Sequence, residues 1–197
     1  LRYLDSKSVF QNIKSLNQNY FQDLYSLSTL NLSEHNLETV EANAFVGLKK
    51  LTFLIMKNNK LKIIKNQTFI GLKSLDTLDL SYNLINNISV DGFKGLKNLK
   101  ILNLNNNCLN VIKLGILQNF PQLKSLFLRN NNLSQFVLGS FSNLYELESL
   151  DLYNNRISRL SMNVFLTLRG LVKLNLGQNR LIDLNHISLI KNLKKLL

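Results

Sequence analysis

The sequence predicts an α/β solenoid, in which short repeated units stack on one another around a shared hydrophobic core. The first observation behind this prediction is a 24-residue period in an aromatic position, and the second is the pattern LxxLxLxxNxLxxLxxxxFxxLxx within each period. The aromatic position holds Phe21, Phe45, Phe69, Phe93, Phe141 and Phe165, with Leu117 in the one remaining place. The third observation is the alternation of apolar and polar residues in LxLxx, which indicates a short strand.

The period divides the chain into the repeats of one array over residues 1–197. Seven units cover residues 27–192 and begin at Leu27, Leu51, Leu75, Leu99, Leu123, Leu147 and Leu171. Residues 1–26 form a degenerate first repeat, because Tyr3, Ser6 and Ser8 stand where leucines are expected. Residues 193–197 begin a further repeat that is cut off. Since terminal repeats need polar residues to cover the end of the core, we expect the chain to be a piece of a longer array.

Each predicted strand is too short to be stable alone, so its stability depends on the neighbouring units. Stacked copies pair as a parallel sheet at about 4.8 Å per strand, and the remaining apolar positions, including the Phe column, fill the space behind the sheet. Because the back of each unit is bulkier than its strand, the sheet is predicted to line a concave face. Loops and short helical turns are predicted on the convex face.

An asparagine at the ninth position of the repeat is predicted to have a structural role. It stands where the chain turns out of the strand and leaves backbone groups without partners, and its amide can both donate and accept hydrogen bonds. The column consists of Asn59, Asn83, Asn107, Asn131, Asn155 and Asn179, and His35 occupies the same position in the first full unit. We expect an asparagine ladder, in which the loss of one member costs about 1–3 kcal/mol.

These residues resemble the leucine-rich-repeat family. The 24-residue length with Phe at the nineteenth position is similar to the typical subclass of animal extracellular proteins, which includes Toll-like receptors, Slit-like proteins and secreted insect immune proteins. The resemblance extends over residues 27–192 and implies a leucine-rich-repeat horseshoe with a Phe spine and an Asn ladder. It also implies a secreted or cell-surface location and protein, glycan, lipid or nucleic-acid ligands. The Cys-containing modules that usually end such ectodomains are missing from this sequence.

The residues between the strand leucines are free to specify a partner, because their side chains point away from the core. Several are aromatic or aliphatic and lie near Lys or Arg, a composition typical of interface hot spots. The candidate ligand-binding residues are Phe53, Ile55, Lys57, Asp79, Tyr82, Phe127, Arg129, Asp151 and Tyr153. The alternative interpretation is that the apolar ones are ordinary scattered residues of a protein surface.

The chain carries an excess of positive charge, with 24 Lys and Arg against 12 Asp and Glu and a net charge of +12. This excess favours an acidic partner such as nucleic acid, anionic glycan or acidic protein. Lys49, Lys73 and Lys97 share the twenty-third position of the repeat, and Lys100 and Lys124 share the second. A basic flank is therefore predicted where the chain enters the strands. Such a flank can track phosphates or sulfated glycan, or it can be a solvated rim that keeps the protein soluble.

Three further features of the sequence bear on glycosylation, disulfide bonding and membrane insertion. Four N-x-Ser/Thr sequons, at Asn31, Asn66, Asn87 and Asn132, would suit a secreted glycoprotein, although about as many are expected by chance in a sequence this rich in Asn. The single cysteine, Cys108, excludes an internal disulfide. No apolar run of about 18 residues is present, so this segment is not expected to insert into a membrane.

The sequence contains no recognisable motif of an enzyme, a metal site or a cofactor site. Its two histidines, His35 and His186, lie in distant repeats. The best carboxylate pair, Asp79 and Asp151, is predicted to be about 14 Å apart from the strand spacing. That separation exceeds the about 5 to 9.5 Å of glycosidase pairs. We therefore predict a binding module without a cofactor and not an enzyme.

Three functions are compatible with these features. The first is protein recognition by the concave face of a secreted or cell-surface protein, for which the family resemblance implies a role in innate immunity or receptor signalling. The second is the sensing of nucleic acid or another polyanion through the basic flank. The third is a structural segment of a longer ectodomain. Another protein is the expected partner, and a homodimer or a heterodimer is compatible with the open surfaces of a solenoid.

Overall fold

The computed structural model describes residues 2–5, 13–160, 164–182 and 193–197. Thirteen strands lie in these residues: β1 (Tyr3–Asp5), β2 (Ser15–Leu16), β3 (Thr29–Asn31), β4 (Thr39–Val40), β5 (Phe53–Ile55), β6 (Ile63–Ile64), β7 (Thr77–Asp79), β8 (Asn87–Ile88), β9 (Ile101–Asn103), β10 (Ser125–Phe127), β11 (Ser149–Asp151), β12 (Lys173–Asn175) and β13 (Lys195–Leu196). Nine of them form one parallel sheet in the order β1-β3-β5-β7-β9-β10-β11-β12-β13. The predicted parallel-sheet solenoid is thereby confirmed.

The strands of this main sheet align position for position. Leu54 pairs with Leu78 and Leu78 pairs with Leu102, so the leucine at the fourth position of each repeat lies beside its equivalents. The register continues in β10 and β11, where Leu126 lies opposite Leu150. The repeat length produces this alignment, because each unit returns the chain to the same point one strand further along.

The core lies behind the main sheet and is built from the repeated apolar positions. In the third full unit the fully buried members are Leu75, Leu78, Leu80, Ile85, Phe93 and Leu96. The aromatic position forms a spine, in which consecutive rings stack with centroids 5.8 or 5.9 Å apart along Phe21, Phe45, Phe69 and Phe93. Stacked units therefore share one continuous hydrophobic core.

The spine changes in the unit that begins at Leu99. Leu117 is buried at the aromatic position, as the period predicts, but the ring that contacts Phe93 belongs to Phe120, with the centroids 5.2 Å apart. In this unit Phe and Leu have exchanged the nineteenth and twenty-second positions of the repeat. The exchange conserves the volume of the core, which is the kind of change that cores tolerate best. A 3-10 helix over Ile116–Asn119 carries the buried Leu117.

The asparagines of the ninth position form a buried column of hydrogen bonds. Nδ2 of Asn107 donates to the carbonyl oxygens of Leu80 and Leu104 at 3.0 and 3.1 Å, and its Oδ1 accepts the N–H of Ile85 at 2.9 Å. The same three contacts recur at Asn59, Asn83, Asn131, Asn155 and Asn179. His35 is buried at the equivalent place. Each amide therefore ties its own repeat to the one before it.

The convex side is irregular by comparison. It consists of turns, the 3-10 helix and two small parallel sheets, one of β2 and β4 and one of β6 and β8. In the ranges that the structure describes, no helix has the length and apolar character needed to cross a membrane. The main sheet is thus the regular, rigid platform of the molecule, and side chains on its open face are held at fixed spacing.

Candidate recognition surface on the concave face

The concave face is the side of the main sheet opposite the core, formed by the third, fifth and seventh positions of the repeat. β5 shows how the alternation creates it, because Leu54 is fully buried whereas Phe53 is 45% exposed and Ile55 is partly exposed. Eight of the nine predicted ligand-binding residues lie in these three columns. The ninth, Tyr82, follows β7 at the eighth position and is 51% exposed.

Most side chains of the fifth position are bound to the backbone of their own repeat. Asp79 accepts a hydrogen bond from the N–H of Ser81 at 2.8 Å, and Asp151 accepts one from the N–H of Tyr153 at 3.0 Å. The same contact, two residues ahead, is made by Asn31, Asn103 and Asn175. This Asx turn stabilises the exit from the strand. Asp79 and Asp151, predicted from the sequence as ligand-binding residues, therefore also have a role in the fold.

Ile55 and Phe127 break this pattern. Neither side chain can accept a hydrogen bond, so each forgoes the turn that the other fifth-position residues make. In the unit of Phe127, the N–H of Arg129 instead donates to Oδ1 of Asn105, one strand away, at 2.7 Å. Both apolar side chains remain partly exposed on the concave face. The backbone therefore does not require apolar residues at these two positions.

Two tyrosines of this surface are each covered by a cation from the preceding repeat. Nζ of Lys57 lies 5.0 Å from the centre of the Tyr82 ring, and Cζ of Arg129 lies 4.3 Å from the centre of the Tyr153 ring. Gly177 makes room for the second ring, because a Cβ there would lie 3.0 Å from Cδ2 of Tyr153. These contacts hold the rings in place before a partner binds, which lowers the entropy lost on binding.

Tyr82 has an unusual backbone conformation for its residue type. The eighth position is left-handed, with φ between 51° and 63°, at Glu34, Asn58, Tyr82, Asn106, Asn130, Asn154 and Gln178. Asn tolerates this region, whereas a bulky residue there is strained. Strained residues cluster at binding and catalytic sites. Tyr82 is therefore disfavoured by the fold itself, although it lies on the predicted recognition surface.

A depression of about 320 Å³ lies between the two tyrosine stacks. Lys57 and Tyr82 line one part of it and Arg129 another, while the amides of Asn103 and Asn105 contribute donors and acceptors. Its lining is mainly polar, and the exposed apolar side chains Phe53, Ile55 and Phe127 do not contribute to it. The concave face thus combines apolar contacts with a polar recess that carries two cations and the carboxylate of Asp79.

A second row of amides, which was not predicted from the sequence, borders the concave face. Nδ2 of Asn130 donates to Oδ1 of Asn106 at 2.7 Å, and Nδ2 of Asn154 donates to Oδ1 of Asn130 at 2.9 Å. These three asparagines, the outer amide row, share the eighth position of the repeat. The recurrence of Asn beside the ladder asparagine is the sequence signal that would have identified them.

The five lysines of the predicted basic flank differ in their surroundings. Nζ of Lys100 lies 2.6 Å from Oδ2 of Asp76, and Nζ of Lys124 lies 3.1 Å from Oε1 of Glu148. The other three, Lys49, Lys73 and Lys97, are exposed and form no ion pair with any residue that the structure describes. Carboxylates therefore offset part of the positive charge that the sequence places on this flank.

The four sequon asparagines occupy different surroundings. Asn66 is exposed and Asn132 is partly exposed. Oδ1 of Asn87 accepts a hydrogen bond from Nζ of Lys113 at 3.0 Å, and Oδ1 of Asn31 accepts the hydroxyl of its own sequon serine, Ser33, at 2.7 Å. Asn66 therefore offers the most accessible acceptor for a glycan.

No metal or thiol chemistry is evident in the part of the chain that the structure describes. No group of three or more His, Cys, Asp or Glu side chains is placed there to hold a metal ion. Cys108 is a free, partly buried thiol whose backbone N–H donates to the carbonyl of Ile85 at 2.9 Å. Its position in the tenth column gives it a structural setting like that of its equivalents in other repeats.

Comparison with known proteins agrees with the fold and the repeat. The model of the family "Leucine rich repeat" matches residues 9–61, 74–133 and 121–181. Among solved structures, the chain is similar to TLR13 in a crystal structure of the TLR13-ssRNA13 complex, at 30% identity and a TM-score of 0.72. It is also similar to a leucine-rich-repeat protein of Leptospira interrogans, at 32% identity and a TM-score of 0.75.

The two likenesses cover most of this chain but a minor part of each neighbour. They span 93% and 89% of this chain, against 30% of the TLR13 chain and 43% of the Leptospira protein. No curated protein matches the sequence significantly. Since the family model accounts for well over half of the residues and the parallel-sheet solenoid agrees with it, the chain belongs to the leucine-rich-repeat family.

Proposed function

We propose that this module binds a protein partner through its concave face. The observation that carries the proposal is that Ile55, Tyr82 and Phe127 depart from the residue types that the backbone favours at their positions. Equivalent positions in most other repeats hold Asn or Asp. Contact with another molecule explains why an exposed apolar or aromatic residue is present at a position where the fold disfavours it.

The neighbouring residues support a protein as that molecule. Phe53 adds a largely exposed ring, and Arg129 and Tyr153 form a stacked pair of the residue types that are enriched in interface hot spots. Tyr82 and Tyr153 are positioned in advance by Lys57 and Arg129. A partner would therefore bury rigid aromatic groups, with the polar recess between the stacks receiving its charged or hydroxyl-bearing side chains.

We further propose that the protein acts without catalysis, at the cell surface or in the extracellular fluid, in innate immunity or receptor signalling. The support for this is the resemblance of the 24-residue Phe-containing repeat to the typical extracellular subclass, together with the similarity to TLR13. The match spans 30% of the TLR13 chain, so this proposal rests on similarity to one segment of that protein.

A consensus variant tests the concave surface with little risk to the fold. Phe53→Thr, Tyr82→Asn and Phe127→Asn each install a residue that another repeat holds at that position. The matched control changes three exposed residues of the convex sixteenth position to residues that other repeats hold there: Val90→Asn and Leu114→Asn, as at Asn66, and Leu138→Ala, as at Ala42. Asn is avoided in place of Leu138 because it would create an N-x-Ser sequon. Each protein is immobilised and exposed to extracellular fluid of the source organism, and captured proteins are quantified by mass spectrometry.

The proposal expects at least one protein that the wild type and the convex control retain and that the consensus variant loses by about tenfold or more, the effect of a hot spot worth about 1.4 kcal/mol. If the consensus variant captures every protein that the wild type captures, in the same amounts, the concave proposal is wrong. That result would instead support a structural segment of a longer ectodomain.

A second candidate function is the binding of nucleic acid or another polyanion along the basic flank. The net charge of +12 favours it, as do the exposed Lys49, Lys73 and Lys97, which form no ion pair with a described residue, and the TLR13 neighbour was solved with an RNA. The ion pairs of Lys100 and Lys124 weigh against it. Binding of a single-stranded RNA that falls steeply between about 50 and 200 mM salt, and that Lys→Gln changes at these three lysines abolish, would support this function.

A further inference from the structure

A second depression, of about 440 Å³, lies at the exit edge of the main sheet, where the chain leaves β10, β11 and β12. Asn130, Asn154 and Gln178 of the eighth position line it, together with Arg156 and Arg180 of the tenth position. Apart from Asn130, none of these five residues borders the recess between the tyrosine stacks. The exit-edge depression is thus a separate feature from the proposed protein-binding face.

Positive charge at this depression has no neutralising partner in the described part of the chain. Arg156 and Arg180 are exposed, and neither forms an ion pair with a described residue. The lining contains no Asp or Glu among the residues that the structure describes. At the entry edge, by contrast, Lys100 and Lys124 are paired with carboxylates. An anion at the exit edge therefore meets two guanidinium groups without displacing a carboxylate of any described residue.

The backbone fixes the spacing of the groups that face the depression. The N–H of Arg156 donates to the carbonyl of Leu133 at 2.8 Å, and the N–H of Arg180 donates to that of Ile157 at 2.9 Å. The two arginines therefore stand at equivalent points of adjacent repeats, about 4.8 Å apart along the sheet at the backbone. The hydrogen bond from Asn154 to Asn130 holds the amide row in the same register.

We propose that the exit-edge depression binds an anionic polysaccharide. Its sulfate or carboxylate groups would bind Arg156 and Arg180, because the guanidinium fork matches the geometry of an oxyanion. Its hydroxyl groups would bind the amides of Asn154 and Gln178, which can both donate and accept. Binding of single-stranded nucleic acid is disfavoured at this place, because the described residues that line the depression include no aromatic side chain on which a base would stack.

The test measures binding of a fluorescent heparin octasaccharide to the whole chain by anisotropy. The chain is produced without N-linked glycans, because the sequon residue Asn132 lines the same depression. Arg156→Gln with Arg180→Gln is compared with Lys100→Gln with Lys124→Gln, which removes the same charge from the entry edge. The exit-edge variant is expected to bind the octasaccharide about tenfold more weakly than the wild type, and the entry-edge control within about threefold of it. The loss of bidentate arginine contacts is expected to lower the affinity more than the loss of net charge alone.

Three outcomes would overturn the proposal. Equal weakening by the two double variants would show that net charge alone attracts the probe. Absence of octasaccharide binding by the wild type would exclude the site. Tighter binding of a single-stranded oligonucleotide of equal charge, lost in the exit-edge variant, would replace the polysaccharide with a nucleic acid. Because all four side chains are exposed and a surface ion pair contributes little to stability, both double variants are expected to keep the wild-type midpoint in urea.

The amide contribution has its own variant. Asn154→Gly removes the side chain but keeps the left-handed backbone that this position requires, since Gly adopts positive φ without strain. We expect octasaccharide binding to weaken about threefold, the effect of one neutral hydrogen bond. Unchanged affinity would show that the amide of Asn154 does not contact the ligand, contrary to the proposal. The concave consensus variant leaves this site intact, so the two proposals fail independently.

Discussion

Leu78 and Asp79 are neighbours in β7, but Leu78 packs in the core whereas Asp79 lies on the concave face. Leu78 belongs to a column in which each described strand of the full repeats places a buried leucine beside the next. Asp79 belongs to a column in which Asn and Asp bind the backbone, but Ile55 and Phe127 interrupt it. On the core side, uniformity reflects packing. On the concave side, the departures from uniformity are the informative residues.

The same contrast separates Asn83 from Tyr82. Asn83 repeats the ladder contacts of its equivalents, with Nδ2 bound to the carbonyls of Met56 and Leu80. Tyr82 occupies a left-handed position where the other described repeats place Asn, Gln or Glu. A repeat protein therefore supplies its own reference: a residue can be compared with its equivalents in the same chain, which experience nearly the same backbone. Four mutational experiments test whether that comparison separates structural from functional residues.

The largest effect is expected at the ladder. Asn107→Ala leaves the buried N–H of Ile85 without its acceptor. It also removes one of the two amide donors of the Leu80 and Leu104 carbonyls, which keep only Asn83 and Asn131, respectively. We expect the free energy of unfolding in urea to fall by about 3 kcal/mol. Asn106→Gly is the control, because it removes the adjacent amide at a partly exposed place and keeps the left-handed backbone. Its cost should stay below about 0.5 kcal/mol. Equal losses would contradict the division between the two columns.

A smaller effect is expected from the exchanged spine residues. Leu117→Phe overpacks a buried position and Phe120→Leu removes a ring that contacts Phe93, so each change alone should cost about 1–3 kcal/mol. The double variant restores the arrangement of the other repeats and should lie within about 1 kcal/mol of the wild type. A double-mutant cycle in urea measures the coupling, expected at about 2 kcal/mol. Simple additivity of the two losses would show that the positions do not compensate each other.

Much of the fold can be predicted from the sequence because its determinants are local and repeated. The period locates every strand of the main sheet in the full repeats, and one motif position identifies the ladder asparagines. The contact of Phe120 with Phe93 was harder to predict. Either Leu117 or Phe120 can be assigned to the spine until the packing of the two side chains is known.

The candidate site was predictable only in part, because its properties depend on contacts between repeats. The sequence identifies Phe53, Ile55 and Phe127 as apolar residues on a polar face, but it does not show that Asp79 is engaged by Ser81. The ion pairs of the entry edge follow from the second column, which holds Asp76, Lys100, Lys124 and Glu148 in consecutive repeats. Reading charges column by column, instead of along the chain, would have predicted that neutralisation.

Tyr82→Asn is expected to stabilise the protein. A side chain with a Cβ is disfavoured by about 1–2 kcal/mol in the left-handed region, and Asn is the exception that tolerates it. Loss of the Lys57 contact removes about 0.5 kcal/mol, so the net gain in unfolding free energy is about 1 kcal/mol. The reciprocal change, Asn58→Tyr, should destabilise by a similar amount. A destabilised Tyr82→Asn would mean that the ring supports the fold, and the argument for its role in binding would lose its main support.

The smallest expected change in stability is at Ile55. In Ile55→Asn, the new amide oxygen can accept the N–H of Lys57, as Asn103 accepts that of Asn105, and one such hydrogen bond contributes about 1 kcal/mol. The lost apolar contacts of a partly exposed side chain offset most of this gain, so the free energy of unfolding should stay within about 0.5 kcal/mol of the wild type. Partner capture by the concave face should nevertheless fall, because the apolar group that the fold does not need is the one that a partner would bury. Unchanged stability with unchanged capture would place Ile55 among ordinary surface residues and confine the recognition surface to Tyr82, Phe127 and their neighbours.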